Sequence, residues 1–156
     1  MALAFLSTAW FDALGERLRI DPGLFEGDRF ALGQVVTELA AAPGRELAYT
    51  LAIGADRPPH LELGSVATAD VVLVADFSTA QAIASGSPPG PLLAQGKVKV
   101  RGDATALIAA QDRLAAIGRA LAGLAEETDF APTAELAPRA LGAPGSVRAH
   151  ATGRAR

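Results

Sequence analysis

The sequence predicts a single domain that contains both helices and strands. The chain has 156 residues, enough for one domain with a substantial core but too few for two. Residues 47–53 and 97–101 alternate between two kinds of side chain, as half-buried strands do. In residues 11–18 and 107–121 the apolar positions instead recur every three or four residues, which is typical of amphipathic helices.

A helix and a strand are expected first along the chain. The Ser-Thr pair at residues 7–8 can cap a helix, and Pro22 ends it. Residues 28–39 are ambiguous, because their apolar spacing suits a helix while Val-Val-Thr at 35–37 favours a strand. β-Branched side chains pack well on a pleated surface, so we predict a strand there.

Three further strands are expected between residues 47 and 75. After the turn at residues 42–44, residues 47–53 alternate cleanly, which predicts a half-buried antiparallel strand. A second turn leads to a short strand at 61–63. Residues 71–75 are apolar at every position, so we expect this strand to lie inside the sheet with both faces covered.

The next segment is expected to be mostly helical. Asp76 can cap a short helix that runs through Ala84. Residues 88–95 then form a further helical turn or a loop before the next strand begins.

The run from Gln95 to Asp103 predicts a strand followed by a helix. Val98 and Val100 point to one face of this strand, while the basic side chains point to the other. Those basic side chains are Lys97, Lys99 and Arg101. Asp103 is a suitable N-cap for the apolar run that follows, so we predict one helix there.

Composition excludes several classes of function. The net charge of −3 gives no general attraction to nucleic acid, and no nucleic-acid partner is expected. Without cysteine there can be no disulfide, thiolate nucleophile or cysteine-ligated metal, which fits a cytoplasmic protein. The apolar N-terminal residues have no basic start, so we do not expect a signal peptide. No run of about 18 apolar residues predicts a membrane-spanning helix.

The last part of the chain differs in character. Residues 125–156 are rich in alanine, proline and arginine and have no apolar period. We therefore predict a folded domain over residues 1–124 and a disordered tail over residues 125–156.

No group of residues in the sequence indicates chemistry. His60 and Glu62 share one face of a short strand but have no third ligand, so we predict no metal site. Asp70 and Asp76 fit a strand end and a helix cap better than a catalytic pair. The glycines at 96 and 102 bracket a strand, whereas phosphate loops place glycines between a strand and a helix. We expect no catalytic residue, no metal and no cofactor.

Two motifs at a particular spacing resemble the sterol-carrier-protein-2 family of lipid-binding domains. They are Ala69-Asp-Val-Val-Leu-Val-Ala-Asp76 before a short helix that ends at Gly86, and Gly96-Lys-Val-Lys-Val-Arg-Gly-Asp103 before an apolar helix. The resemblance covers roughly residues 7–120.

The resemblance implies an α+β fold with a five-stranded, largely antiparallel sheet covered by helices. It also implies an apolar tunnel between the two layers for a fatty-acyl, isoprenoid or sterol-like ligand, and it implies no chemistry. The chain departs from the family at Ser87-Pro-Pro-Gly-Pro91, where a more helical, phenylalanine-containing segment is usual. Leu92 and Leu93 then replace the larger aromatic side chain.

The candidate ligand-binding residues are the predicted inward-facing side chains near these motifs. They are Tyr49, Leu51, Phe77, Ile83, Leu92, Leu93, Val98, Val100, Leu107 and Leu114. The expected partner is a hydrophobic small molecule or lipid, with transient membrane contact through the basic stripe and a partner enzyme as further candidates. The alternative is an accessory or protein-interaction module with the same fold and a filled core. A buried polar cluster would instead indicate an enzyme.

Overall fold

The computed structural model describes residues 2–131 and 135–142, and these form helices on one side of a mixed sheet. The helices are α1 (Thr8–Ile20), α2 (Phe77–Ala84), α3 (Pro89–Ala94), α4 (Ala104–Ala109) and α5 (Gln111–Ala125), with short 3-10 turns at Pro22–Leu24 and Pro138–Ala140. The strands are β1 (Leu3–Ala4), β2 (Phe30–Thr37), β3 (Glu46–Ile53), β4 (His60–Leu63), β5 (Val71–Asp76), β6 (Val98–Gly102), β7 (Thr128–Asp129) and β8 (Leu141–Gly142).

The main sheet has the strand order β4-β3-β2-β5-β6, and β8 pairs with one end of β3. Strands β2–β3, β3–β4, β3–β8 and β5–β6 pair antiparallel, whereas β2 and β5 pair parallel. The expected α+β fold is confirmed, with a sheet that is mixed because of this one central pair. Separately, β1 pairs parallel with β7 and joins the start of the chain to the end of α5.

The ambiguous segment at residues 28–39 forms the central strand β2, as predicted. Seven of its eight residues are buried, because β3 and β5 flank it and both faces of the sheet are covered. The adjacent β-branched side chains at Val35 and Val36 point to opposite faces, and each finds a buried apolar environment.

Strand β3 is not half-buried, contrary to the expectation from its alternation. Residues 64–70 cross the back of the sheet, where Val66 and Ala69 pack against Ala48. Gly33 permits this close approach, because a Cβ atom there would lie 2.9 Å from side-chain atoms of both Val66 and Ala69. Gly33 and Ala48 are thus small residues on the outer face of the sheet, and they leave room for the segment that covers it.

Three predicted helix caps are confirmed. The Ser7 hydroxyl accepts a hydrogen bond from the Trp10 backbone N–H at 3.2 Å. Asp76 accepts one from the Thr79 N–H at 2.7 Å, and Asp103 accepts from the first turn of α4. Each cap satisfies an N–H group that the helix itself leaves without a partner.

The single helix expected after Asp103 is two helices. Ala110, which is buried, interrupts it with φ −94° and ψ 7°, and its N–H approaches the carbonyls of both Ala106 and Leu107. Neither glycine nor proline marks this position, so the break has no local sequence signal. α4 and α5 are therefore separate helices that meet at Ala110.

Part of the predicted tail belongs to the folded domain. Leu136, Ala137 and Ala140 are buried, and the Ala137 N–H donates to the Leu6 carbonyl at 2.9 Å. Leu141 pairs with Leu47 of β3. Leu136, Ala137 and Ala140 belong to the main core, so the packed structure continues past residue 124. The rest of the predicted tail, residues 132–134 and 143–156, lies outside the described residues.

Candidate functional site

A row of paired residues crosses the face of the main sheet that looks toward the helices. From β4 to β6, the register places Leu63, Tyr49, Gln34, Leu73 and Val100 side by side. Directly paired residues share one face of a sheet. An amide therefore lies at the centre of an otherwise apolar and aromatic row.

Aromatic side chains fill the space between this row and the helices on the β2–β3 side. This aromatic cluster consists of Phe5, Trp10, Phe11, Tyr49, Phe77 and Phe130. Phe5 is central, with ring-centroid distances of 5.0 Å to Trp10, 5.6 Å to Phe77 and 5.2 Å to Phe130. Phe11 links the cluster to the sheet, because its ring lies 5.1 Å from Trp10 and 5.0 Å from Tyr49.

A cavity remains beside the aromatic cluster, over the centre of the row. Its volume is about 10 Å³, which is room for about one water molecule. The lining residues are Phe5, Leu6, Trp10, Gln34, Val36, Tyr49, Ala80, Ile83, Ala84 and Leu121. At this volume the cavity is far too small to hold a lipid.

The β5–β6 side is covered less completely than the β2–β3 side. Five half-buried leucine and valine side chains of β5, β6, α4 and α5 are together called the apolar patch: Leu73, Val100, Leu107, Leu114 and Leu121. All five pack against the main core while keeping part of their surface exposed. Leu121 also lines the cavity, and Leu73 pairs directly with both Gln34 and Val100.

The predicted ligand-binding residues divide into three groups by burial. Tyr49, Leu51, Phe77 and Val98 are buried; Ile83, Leu92, Val100, Leu107 and Leu114 are partly buried; and Leu93 is 38% exposed. Tyr49 and Ile83 meet at the cavity, while Val100, Leu107 and Leu114 belong to the apolar patch. Their role in binding stays a prediction.

Leu92 and Leu93 lie on α3, of which no residue is buried. The prolines of residues 87–91 do not prevent this helix, because Pro88 precedes it and Pro89 and Pro91 occupy its first turn, where no helical N–H partner is needed. The segment that departs from the family is therefore helical, but it contributes no buried side chain to the interior.

Gln34 and Leu73 are not among the site residues predicted from the sequence. A signal for Gln34 was available, since it occupies a core-facing position of β2 between Leu32 and Val36. A polar residue in such a register is unusual and informative. Phe5 and Leu6 had no comparable signal, because only the tertiary fold brings the start of the chain over the sheet.

Tyr49 has a strongly altered ionisation. Burial raises the pKa of its hydroxyl well above the ordinary value, because the phenolate would lose its hydration in the interior. At neutral pH the hydroxyl is protonated, as in any tyrosine, and it can donate a hydrogen bond. None of the ten cavity-lining side chains carries a charge at neutral pH.

The side chains of Lys97, Lys99 and Arg101, which form the basic stripe, are exposed at the β6 edge of the main sheet. Lys99 pairs with Val74 and Arg101 with Val72, both of which face the back of the sheet. The prediction that these side chains form the solvated face of β6 is confirmed. Within residues 2–131 and 135–142, no group of three or more acidic, histidine or cysteine side chains could hold a metal ion.

None of the described helices combines the length and apolar character needed to cross a membrane.

Neither a protein-family model nor a curated protein sequence matches the chain. Solved structures do match. A crystal structure of sterol carrier protein 2 is 22% identical with a TM-score of 0.56, and the match covers 80% of this chain and 99% of that one.

A second match is a conserved hypothetical protein from Thermus thermophilus, named as a candidate sterol carrier protein. It is 23% identical with a TM-score of 0.55, over 83% of this chain and 93% of that one. On this evidence the chain is a sterol-carrier-protein-2-like domain by its fold.

Proposed function

We propose that this domain binds an apolar ligand such as a fatty-acyl, isoprenoid or sterol-like lipid, and carries it without chemical change. The observation that supports this most is the apolar patch, whose Leu121 also lines the cavity over the centre of the sheet. Burying a ligand there would stabilise the complex by about 25 cal/mol per Å² of apolar surface. The likeness to sterol carrier protein 2 in fold adds support.

Ligand entry needs movement, because the cavity holds about 10 Å³ and small-molecule pockets occupy roughly 300–1,000 Å³. The elements best placed to move are α3 and α4, since neither contains a buried residue. The backbone break at Ala110 separates α4 from the better buried helix α5. We propose that α4 swings outward at Ala110 and opens the apolar patch.

Delivery would involve other surfaces of the domain. The exposed basic stripe beside α3 is the candidate for a transient contact with a membrane surface. A partner enzyme that receives the ligand is a second candidate, and the cytoplasm is the proposed compartment, since the chain has no cysteine.

A matched pair of neighbouring residues on α4 provides the test. Leu107 packs against the core, whereas Ile108 is 66% exposed. Native mass spectrometry of the gently purified protein should detect added lipid mass, and Leu107→Gln should reduce it. Ile108→Gln is the control and should retain it. The two variants should also differ by about tenfold in affinity for an added acyl ligand.

The alternative function is an accessory or protein-interaction module. The packed aromatic cluster favours it, because a filled interior needs no ligand. Clean protein without added mass, together with no thermal shift on adding acyl or sterol ligands, would reject carriage and leave this alternative.

A further inference from the structure

Gln34 lies where an apolar side chain would normally be found. It sits on the central strand β2, faces the helices, and has Tyr49 on one side and Leu73 on the other. No hydrogen bond joins its side-chain amide to a protein group anywhere in the described ranges. Gln34 is also partly exposed, so solvent reaches the middle of this face.

Because the Gln34 amide is partly exposed, water can hydrogen-bond to it. A ligand that displaces this water must supply a polar group of its own, since a buried polar group without a partner costs about 1–3 kcal/mol. Leu32 and Val36, its neighbours on the same face of β2, are both buried and apolar. The position therefore calls for an external hydrogen-bonding group, either water or part of a ligand.

The Tyr49 hydroxyl has the same need. Tyr49 pairs directly with Gln34 across β2 and β3 and lines the same cavity. Within the part of the chain that the structure describes, no protein group accepts or donates a hydrogen bond at this hydroxyl. The two side chains together present an N–H donor, an O–H donor and a carbonyl acceptor to one small space.

The charge of the lining restricts what this space can accept. All ten lining side chains are uncharged, so an ionised carboxylate would be buried without a compensating cation. Such burial costs several kcal/mol per ion even after relaxation. A hydroxyl or a carbonyl group meets the same donors and acceptor without that cost.

We propose that Gln34 and Tyr49 bind the uncharged polar head of a lipid, such as a long-chain alcohol, sterol, ketone or ester, and disfavour free carboxylates. This inference rests on the proposed function, because it assigns the head-group end of the same site. The apolar body of the ligand would extend from Gln34 along the apolar patch.

The test compares three probes with the same carbon chain: dodecane, dodecanol and dodecanoate. Trp10 is the only tryptophan of the chain and lines the cavity, so its fluorescence reports occupancy. At about pH 8, where dodecanoate is ionised, the protein should bind dodecanol at least about tenfold more tightly than dodecanoate. Equal or tighter binding of dodecanoate would overturn the proposal.

Two variants identify the groups responsible. Gln34→Leu and Tyr49→Phe should each weaken dodecanol binding by about fivefold or more and leave dodecane binding unchanged. Gln95→Leu, at an exposed amide outside the cavity, should change neither. Unchanged dodecanol affinity in both site variants would show that these groups do not bind the head.

Failure of this inference can be told apart from failure of the proposed function. If all three probes bind and the head group makes no difference, only the assignment of Gln34 and Tyr49 is wrong. If none of the probes binds to the unaltered protein, both the head-group assignment and lipid carriage are rejected.

Discussion

Phe5→Ala should remove the centre of the aromatic cluster and weaken the whole domain. The Phe5 side chain is almost fully buried and contacts three other aromatic rings. Truncating a buried phenylalanine costs about 3–5 kcal/mol, through lost apolar burial and the void that remains. Domains of this kind have only about 5–15 kcal/mol of unfolding free energy, so the variant should be marginally stable.

Urea denaturation followed by circular dichroism measures this loss. The midpoint should fall while the slope of free energy against urea stays constant, since the surface exposed on unfolding is almost unchanged. Ile20→Ala is the control, because Ile20 is 78% exposed and its truncation should change stability by less than about 0.5 kcal/mol.

The same variant links stability to ligand binding. The void left at residue 5 adjoins the cavity, so a small apolar probe such as benzene should bind there and recover part of the lost stability. At a free concentration of about 100 times the dissociation constant, the recovery would be about 2.7 kcal/mol. A loss below about 1 kcal/mol would contradict the packing described for Phe5.

Three other outcomes follow from the structure. Gly33→Ala places a methyl group 2.9 Å from Val66 and Ala69 side-chain atoms, so it should cost about 1–3 kcal/mol in urea denaturation, and adding Val66→Ala should recover part of this. Asp76→Ala removes the cap of α2 and should cost about 1 kcal/mol, whereas no measurable loss would contradict that hydrogen bond. In an absorbance titration, Tyr49, the only tyrosine, should not ionise in the folded protein near pH 10, because its pKa is raised. Its contribution to stability should be complete below the unfolded pKa and decrease as the pH rises above it, so a reversible phenolate signal near pH 10 without unfolding would refute its burial.

Local signals in the sequence predicted the elements well and their covering poorly. The Val-Val-Thr run at residues 35–37 identified β2, and Asp76 and Asp103 identified the starts of two helices. The break at Ala110 and the packing of Leu136 depend on contacts between distant parts of the chain. No residue type near either position predicts the helix break or the packing.

The candidate site was predicted in part for the same reason. Alternation and helical period predict that Val100, Leu107 and Leu114 face inward, and all three pack against the main core. Their role in binding stays a prediction. Gln34 required knowledge of which face of β2 meets the helices, because a glutamine in a strand is unremarkable until its direction is known. The aromatic cluster required the long-range approach of Phe5, which no local pattern encodes.

The small volume of the cavity does not by itself distinguish a carrier from a filled module. An empty cavity of about 300 Å³ would cost about 7 kcal/mol at 24 cal/mol per Å³, which is comparable to the stability of a whole domain. A carrier without its ligand is therefore expected to fill the space with its own side chains, as the aromatic cluster does here. The two functions differ in the free-energy cost of displacing the side chains that fill this space. The poorly buried helices α3 and α4 beside the apolar patch favour opening, and the amide of Gln34 at its inner end gives an incoming ligand something to bind.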